Sequence, residues 1–158
     1  PNYAARKIMN ACTKFIQRKR TAGRVEDSYN SYGDSIGHWN KERVPFTPAK
    51  KASKPKLSRS SFDHLESFVL AMQQKGAKVL ILPPCFQATS YDNCETMINQ
   101  IEQQLLKRQM PPLAPMRRYR MDDHLFHDTP YHLTKQGAEH RTDMVIEDLS
   151  IAAKKSFL

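Results

Sequence analysis

Five residues, Lys78-Val79-Leu80-Ile81-Leu82, form a nearly continuous apolar run that stops at Pro83-Pro84. A run so short and without polar alternation reads as a strand covered on both faces, the situation of a central strand in a parallel sheet. Parallel neighbours need a crossover of a dozen or more residues, so the flanking segments should be helices. Their patterning agrees. Phe62, Leu65, Phe68, Val69 and Met72 share a helical face behind the capping-box-like Ser60-x-x-Asp63, and Gly76 provides a stop. Asp92-x-x-Glu95 opens a second periodic stretch through Met97, Ile98, Ile101 and Leu105, which Pro111-Pro112 cannot continue. A short strand within residues 113–119 would complete a β-α-β crossover. A last helix over residues 134–154, capped by Thr134, would turn Val145, Ile146, Leu149 and Ala152 to the core. Residues 60–158 are therefore expected to form a doubly wound α/β layer.

Residues 1–59 read differently. Ile8, Cys12, Phe15 and Ile16 recur at helical spacing between residues 3 and 20, with basic residues on the other side, which predicts an amphipathic N-terminal helix. A long irregular loop follows, where Gly23, Gly33, Gly37, Pro45, Pro48 and Pro55 interrupt Ser, Lys and Arg without periodicity. Structureless stretches of that length are uncommon in compact domains, so the segment is expected to be functional, mobile or ordered by a partner. The 158 residues suffice for one ordinary domain.

Lys and Arg outnumber Asp and Glu by 25 to 16, a formal charge of +9 that favours contact with polyanions without naming one. No helix-turn-helix, finger or RNP pattern accompanies the charge, so nucleic acid is not the expected partner. Cys12, Cys85 and Cys94 are odd in number and lack C-x-x-C spacing, which suggests neither a disulfide framework nor a structural zinc site; a Cys85–Cys94 bridge would close only a short loop. No apolar run has the length of a membrane span. The start, Pro1-Asn2-Tyr3, has neither an initiator Met nor a signal-peptide pattern, and reads as the beginning of a fragment.

In a doubly wound sheet the functional loops lie beyond the carboxyl ends of the strands. Two segments qualify: Pro83-Pro84-Cys85-Phe86-Gln87 with the following Ser90, and the loop 127–132 ahead of the last helix. Asp128 and His132 stand out in the second, because an acyl-transfer base is an imidazole whose other ring nitrogen is held by a carboxylate. His124, His127, His132 and His140 fall close to Asp122, Asp123 and Asp128, but in no tight ligand motif, so no metal and no cofactor is assigned.

The block Phe126-His127-Asp128-Thr129-Pro130-Tyr131-His132-Leu133-Thr134-x-x-Gly137-x-x-x-Arg141-Thr142 resembles the terminal block of SGNH-type (GDSL-like) hydrolases and cell-envelope O-acyltransferases. The resemblance extends over about residues 60–149 and implies the C-terminal half of a flavodoxin-like α/β domain. It makes His132 the base that deprotonates a serine and Asp128 the group that orients it, while Gly137 would permit tight helix entry. It implies an acyl ester or O-acetylated carbohydrate as substrate, and an extracytoplasmic or periplasmic setting. Many family members place the Asp three residues before the His, whereas here the spacing is four, so a backbone carbonyl is the other candidate to orient His132.

The family's nucleophile follows an apolar strand in a Gly-x-Ser turn. Tyr32-Gly33-Asp34-Ser35-Ile36 spells the letters of that signature and makes Ser35 the candidate nucleophile in this chain, yet residues 24–31 cannot form a buried strand, and a Gly-Asp turn is the competing reading. The resemblance therefore implies that the serine and its oxyanion donors lie in a segment outside this chain. The piece alone should then be inactive, its open sheet edge and apolar surface covered by that segment or by a homo-oligomer. The rival expectations are a non-catalytic basic α/β module that binds nucleic acid or another polyanion, and an inert scaffold of the same fold.

Overall fold

The computed structural model describes residues 28–31, 33–51 and 57–154, and divides the chain into two compact units, Pro1–Lys41 and Glu42–Leu158. The amphipathic helix expected over residues 3–20 lies outside the described residues. In the first unit, Tyr29 and Ser35 face each other across a short antiparallel bridge, and Gly33 turns the chain with φ +86°. The Asn30 side chain accepts from the Asp34 amide at 2.9 Å and donates to the Asp34 carboxylate at 2.7 Å, which closes the turn locally.

The second unit is mixed α/β, with three α-helices and a two-stranded parallel sheet among the described residues. Helix α1 (Arg59–Gln74) starts at Ser58, whose hydroxyl accepts from the Ser61 amide, two residues earlier than the expected Ser60-x-x-Asp63 box. It presses Val69, with Phe62 and Leu65, onto Leu105 and Met110, while Phe68 stays 54% exposed. Strand β1 (Phe86–Gln87) leads directly into α2 (Ala88–Lys107), and β2 (Arg120–Met121) returns parallel to β1 with Phe86 beside Arg120 and Gln87 beside Met121. The β-α-β crossover is thus present.

Its strands differ from the expected ones. The run 78–82 contributes one parallel bridge, Ile81 to Pro112, and regular pairing begins only after Pro83 and Pro84, which lack the amides that ladder pairing needs. The returning strand falls at residues 120–121 because a 3-10 turn, Met116–Tyr119, occupies most of the stretch expected to be extended. Helix α2 begins four residues before Asp92. Its cap comes from elsewhere: the Asp123 carboxylate accepts from the Thr89 amide at 3.0 Å and from the Thr89 hydroxyl at 2.6 Å.

A second 3-10 turn (Asp123–Leu125) leads into the loop 127–132, and α3 (Lys135–Lys154) closes the unit. Thr134 caps α3, its hydroxyl accepting from the Gly137 amide at 3.1 Å. Ala152 is buried on α3 as expected, but Ile146 is 58% exposed, and the helix instead buries Asp148. That carboxylate accepts from the Tyr119 hydroxyl at 2.8 Å and lies 2.7 Å from Arg118 Nε, so a polar link stands where apolar packing was expected. Cys85 and Cys94 are free thiols in separate apolar clusters.

Candidate functional site

The loop 127–132 is a tight excursion closed at its base. Phe126 and Leu133 bridge antiparallel, and the His127 amide donates to the His132 carbonyl at 2.7 Å. The Thr134 amide and hydroxyl both donate to the Leu125 carbonyl, so the loop leaves the core and re-enters it at one point. Gly137 packs against that point; a Cβ there would come within 2.3 Å of Leu125 O. Phe126, fully buried, anchors the near side in the cluster of Cys85, Met121 and Leu125.

Within the loop the sequence-predicted pair meets. His132 Nδ1 lies 2.6 Å from Asp128 Oδ1, and both side chains are a little under two-fifths exposed. Spacing of four residues is therefore compatible with the contact, because the loop turns through Thr129 and Pro130 rather than running extended. With the proton on Nδ1 donated to Asp128, Nε2 on the far side of the ring is the nitrogen that can accept a proton.

The two loops singled out in the sequence are in contact. The Gln87 amide donates to the Pro130 carbonyl at 2.8 Å, and the Cys85 thiol points to the Tyr131 carbonyl at 3.9 Å. Burial pushes the Cys85 thiol above its ordinary pKa, against the pull of Arg141, which keeps it protonated and unsuited to act as a nucleophile. Ser90 is fully buried. Its hydroxyl donates to Gln87 Oε1 at 2.5 Å and accepts from the Ala49 amide at 2.9 Å, so both of its roles are taken. Ser35 belongs to the first unit, exposed at the end of the Gly33-Asp34 turn.

Residues 43–49 were expected to be part of an irregular loop, yet they form a strap on this site. Arg43 Nε donates to Phe126 O at 2.7 Å and its Nη2 to Asp123 O at 2.8 Å, while the Val44 amide donates to His127 O at 3.0 Å. Phe46 packs on the Phe126 cluster, and the Ala49 carbonyl accepts from Asn93. Nothing in the local sequence marks Arg43 apart from the basic residues around it; its role depends on carbonyls some 80 positions away.

Several other arginines are paired: Arg108 with Asp63 and Glu66, Arg117 with Glu95, Arg118 with Glu147 and Asp148, and Arg120 with Asp92. These pairs reduce the positive surface that the net charge alone would suggest. Among the described residues no group of three or more His, Cys, Asp and Glu side chains could hold a metal ion, and no helix is long and apolar enough to cross a membrane. A cavity of about 890 Å³, lined mainly by apolar residues, lies against residues 79–81 and 110–115 and reaches Arg118 and Asp148. No family model, curated protein or solved structure matches the chain.

Proposed function

We propose that this chain supplies the acid/base arm of an SGNH-type serine esterase or O-acyltransferase, within a partial flavodoxin-like domain. The observation that carries the reading is the 2.6 Å contact between His132 Nδ1 and Asp128, on a loop held to the carboxyl end of β1. In the reaction, His132 Nε2 takes the proton of a serine hydroxyl as that oxygen bonds to the acyl carbon. The same nitrogen returns the proton to the departing alkoxide, and water or an acceptor hydroxyl then repeats the sequence on the acyl-enzyme. Asp128 holds the tautomer and stabilises the imidazolium. The serine comes from a further polypeptide segment, as the resemblance implies; Ser90, on the neighbouring loop, is committed to Gln87 and Ala49. The resemblance supports an acyl ester or O-acetylated carbohydrate as substrate and an extracytoplasmic setting.

The test is ester turnover by this chain together with its serine-bearing segment. His132→Ala should lower kcat by about 10²- to 10⁴-fold, the usual contribution of a general base, with an unchanged melting temperature. Asp128→Asn should fall in the same direction. Full turnover by His132→Ala removes the assignment. The isolated chain should not be labelled by a fluorophosphonate; labelling at Ser35 would move the nucleophile into this chain.

A further inference from the structure

The last turns of all three helices open onto one cavity. Gln73 of α1, Leu106 of α2, and Ile151 and Ala152 of α3 line it, together with the run 79–81 and the turn 109–115. Its volume of about 890 Å³ falls within the roughly 300–1,000 Å³ of small-molecule sites. The lining is aliphatic. Among the described residues around it there is no aromatic ring, and so none of the stacking surface on which bases and other flat ligands are held. Leu106 and Ile151, 47% and 45% exposed, place apolar side chains where the cavity meets solvent.

Charge gives the cavity a direction. Where it reaches the buried Asp148, Arg118 faces two carboxylates, Glu147 and Asp148, each at 2.7 Å, so negative charge is in excess there. The helix ends are the reverse. Lys75, Lys78, Lys107 and Lys154 lie within three residues of the lining residues Gln73, Val79, Leu106 and Ile151, and all four are exposed. Among the described residues none of them is in an ion pair, whereas Glu66, in an adjoining depression, is paired with Arg108. Lys75 caps α1, and Lys107 and Lys154 close α2 and α3. Each helix end carries roughly half a unit of negative charge, which favours lysine there, but four lysines exceed what three ends carry and leave the rim positive.

We propose that this cavity binds one long-chain fatty acid, its alkyl chain along the aliphatic lining and its carboxylate at the lysine rim. A carboxylate turned the other way would meet Glu147 and Asp148, already two for one guanidinium. A hollow between three helices suits a single chain, whereas a bilayer would need a protruding apolar face. The inference is independent of the acid/base reading, because none of these residues belongs to the loop 127–132.

Isothermal titration of the intact chain with octanoate, decanoate, dodecanoate and tetradecanoate, each below its micelle concentration, tests this. Affinity should rise about fourfold per added methylene, the value of burying that group, and level off once the cavity is full. Dodecanol, which lacks the charge, should bind more weakly than dodecanoate, and Lys107→Glu with Lys154→Glu should weaken dodecanoate but not dodecanol. Leu106→Glu with Ile151→Glu changes only half-exposed residues of the lip. It should lower dodecanoate affinity at least about tenfold with an unchanged melting temperature, because the chain would then bury a charge. Affinity independent of chain length, or full binding by the lip variant, overturns the inference. If the lip variant does not fold, the chain-length series on the wild type decides alone. Flotation with phosphatidylglycerol vesicles without binding of monomeric dodecanoate would assign the rim to a bilayer, and no binding together with a dimer mass would assign the cavity to a second copy; either result overturns the proposal.

Discussion

Gly137 shows how closely a single residue can control this site. Its missing side chain lets α3 approach the Leu125 carbonyl, which also accepts from the Thr134 amide and hydroxyl at the point where the loop closes. An added methyl would sit 2.3 Å from that oxygen and 3.0 Å from a Leu133 methyl. The backbone oxygen cannot swing aside as a flexible side-chain end would, so either α3 or the loop must shift. Gly137→Ala is therefore expected to destabilise by about 1–3 kcal/mol, the range for overpacking a tight interior contact, despite Ala's better helix propensity. Thermal or denaturant unfolding of the two proteins measures this. An unchanged or raised melting temperature would mean that the contact relaxes at no cost.

At the scale of elements, the sequence was informative wherever the cause of structure was local. The Thr134 cap, the periodicity of α2 from Met97 to Leu105, the stop before Pro111 and the Asp128–His132 pair all depend on residues within a few positions of one another. It was uninformative where the deciding partner lies far along the chain. The early start of α2 depends on Asp123, 34 positions beyond Thr89, and the seating of the strap depends on carbonyls about 80 positions beyond Arg43. The inward face of α3 was misjudged only in part, at Ile146 and Asp148, for the same reason, because Asp148 is buried where Tyr119 and Arg118 meet it. That junction predicts a pH effect. Burial foremost, with Asp148 adding to it, raises the Tyr119 hydroxyl from 10.0 to about 12. The unfolded chain then loses this proton first, so the stabilisation is complete below pH 10 and declines as pH rises from about 10 to about 12. Stability of the wild type should fall more steeply across that window than that of Tyr119→Phe. Parallel curves for the two proteins would show that Tyr119 ionises alike in the folded and unfolded states.

For the whole molecule, the sheet is the part left open. Leu113 donates to Ile81 O at 2.7 Å across the single parallel bridge at this end. In an extended segment successive residues direct their amides and carbonyls to opposite edges, so Leu80 and Leu82 face away from Pro112. No described residue hydrogen-bonds their main chain there. Polar groups left this way on an apolar strand invite a further strand, and a serine-bearing segment of the same sheet would satisfy them. Hydrogen exchange on the isolated chain gives the check. The amides of Leu80 and Leu82 should exchange at least about a hundredfold faster than those of Gln87 and Leu113, which are bonded to Pro130 and Ile81. Adding the serine-bearing segment that the proposed function requires should slow Leu80 and Leu82 while leaving the other two unchanged. Slow exchange at Leu80 in the isolated chain, together with a dimer mass by light scattering, would mean that a second copy already occupies the edge and that the domain is completed by self-association.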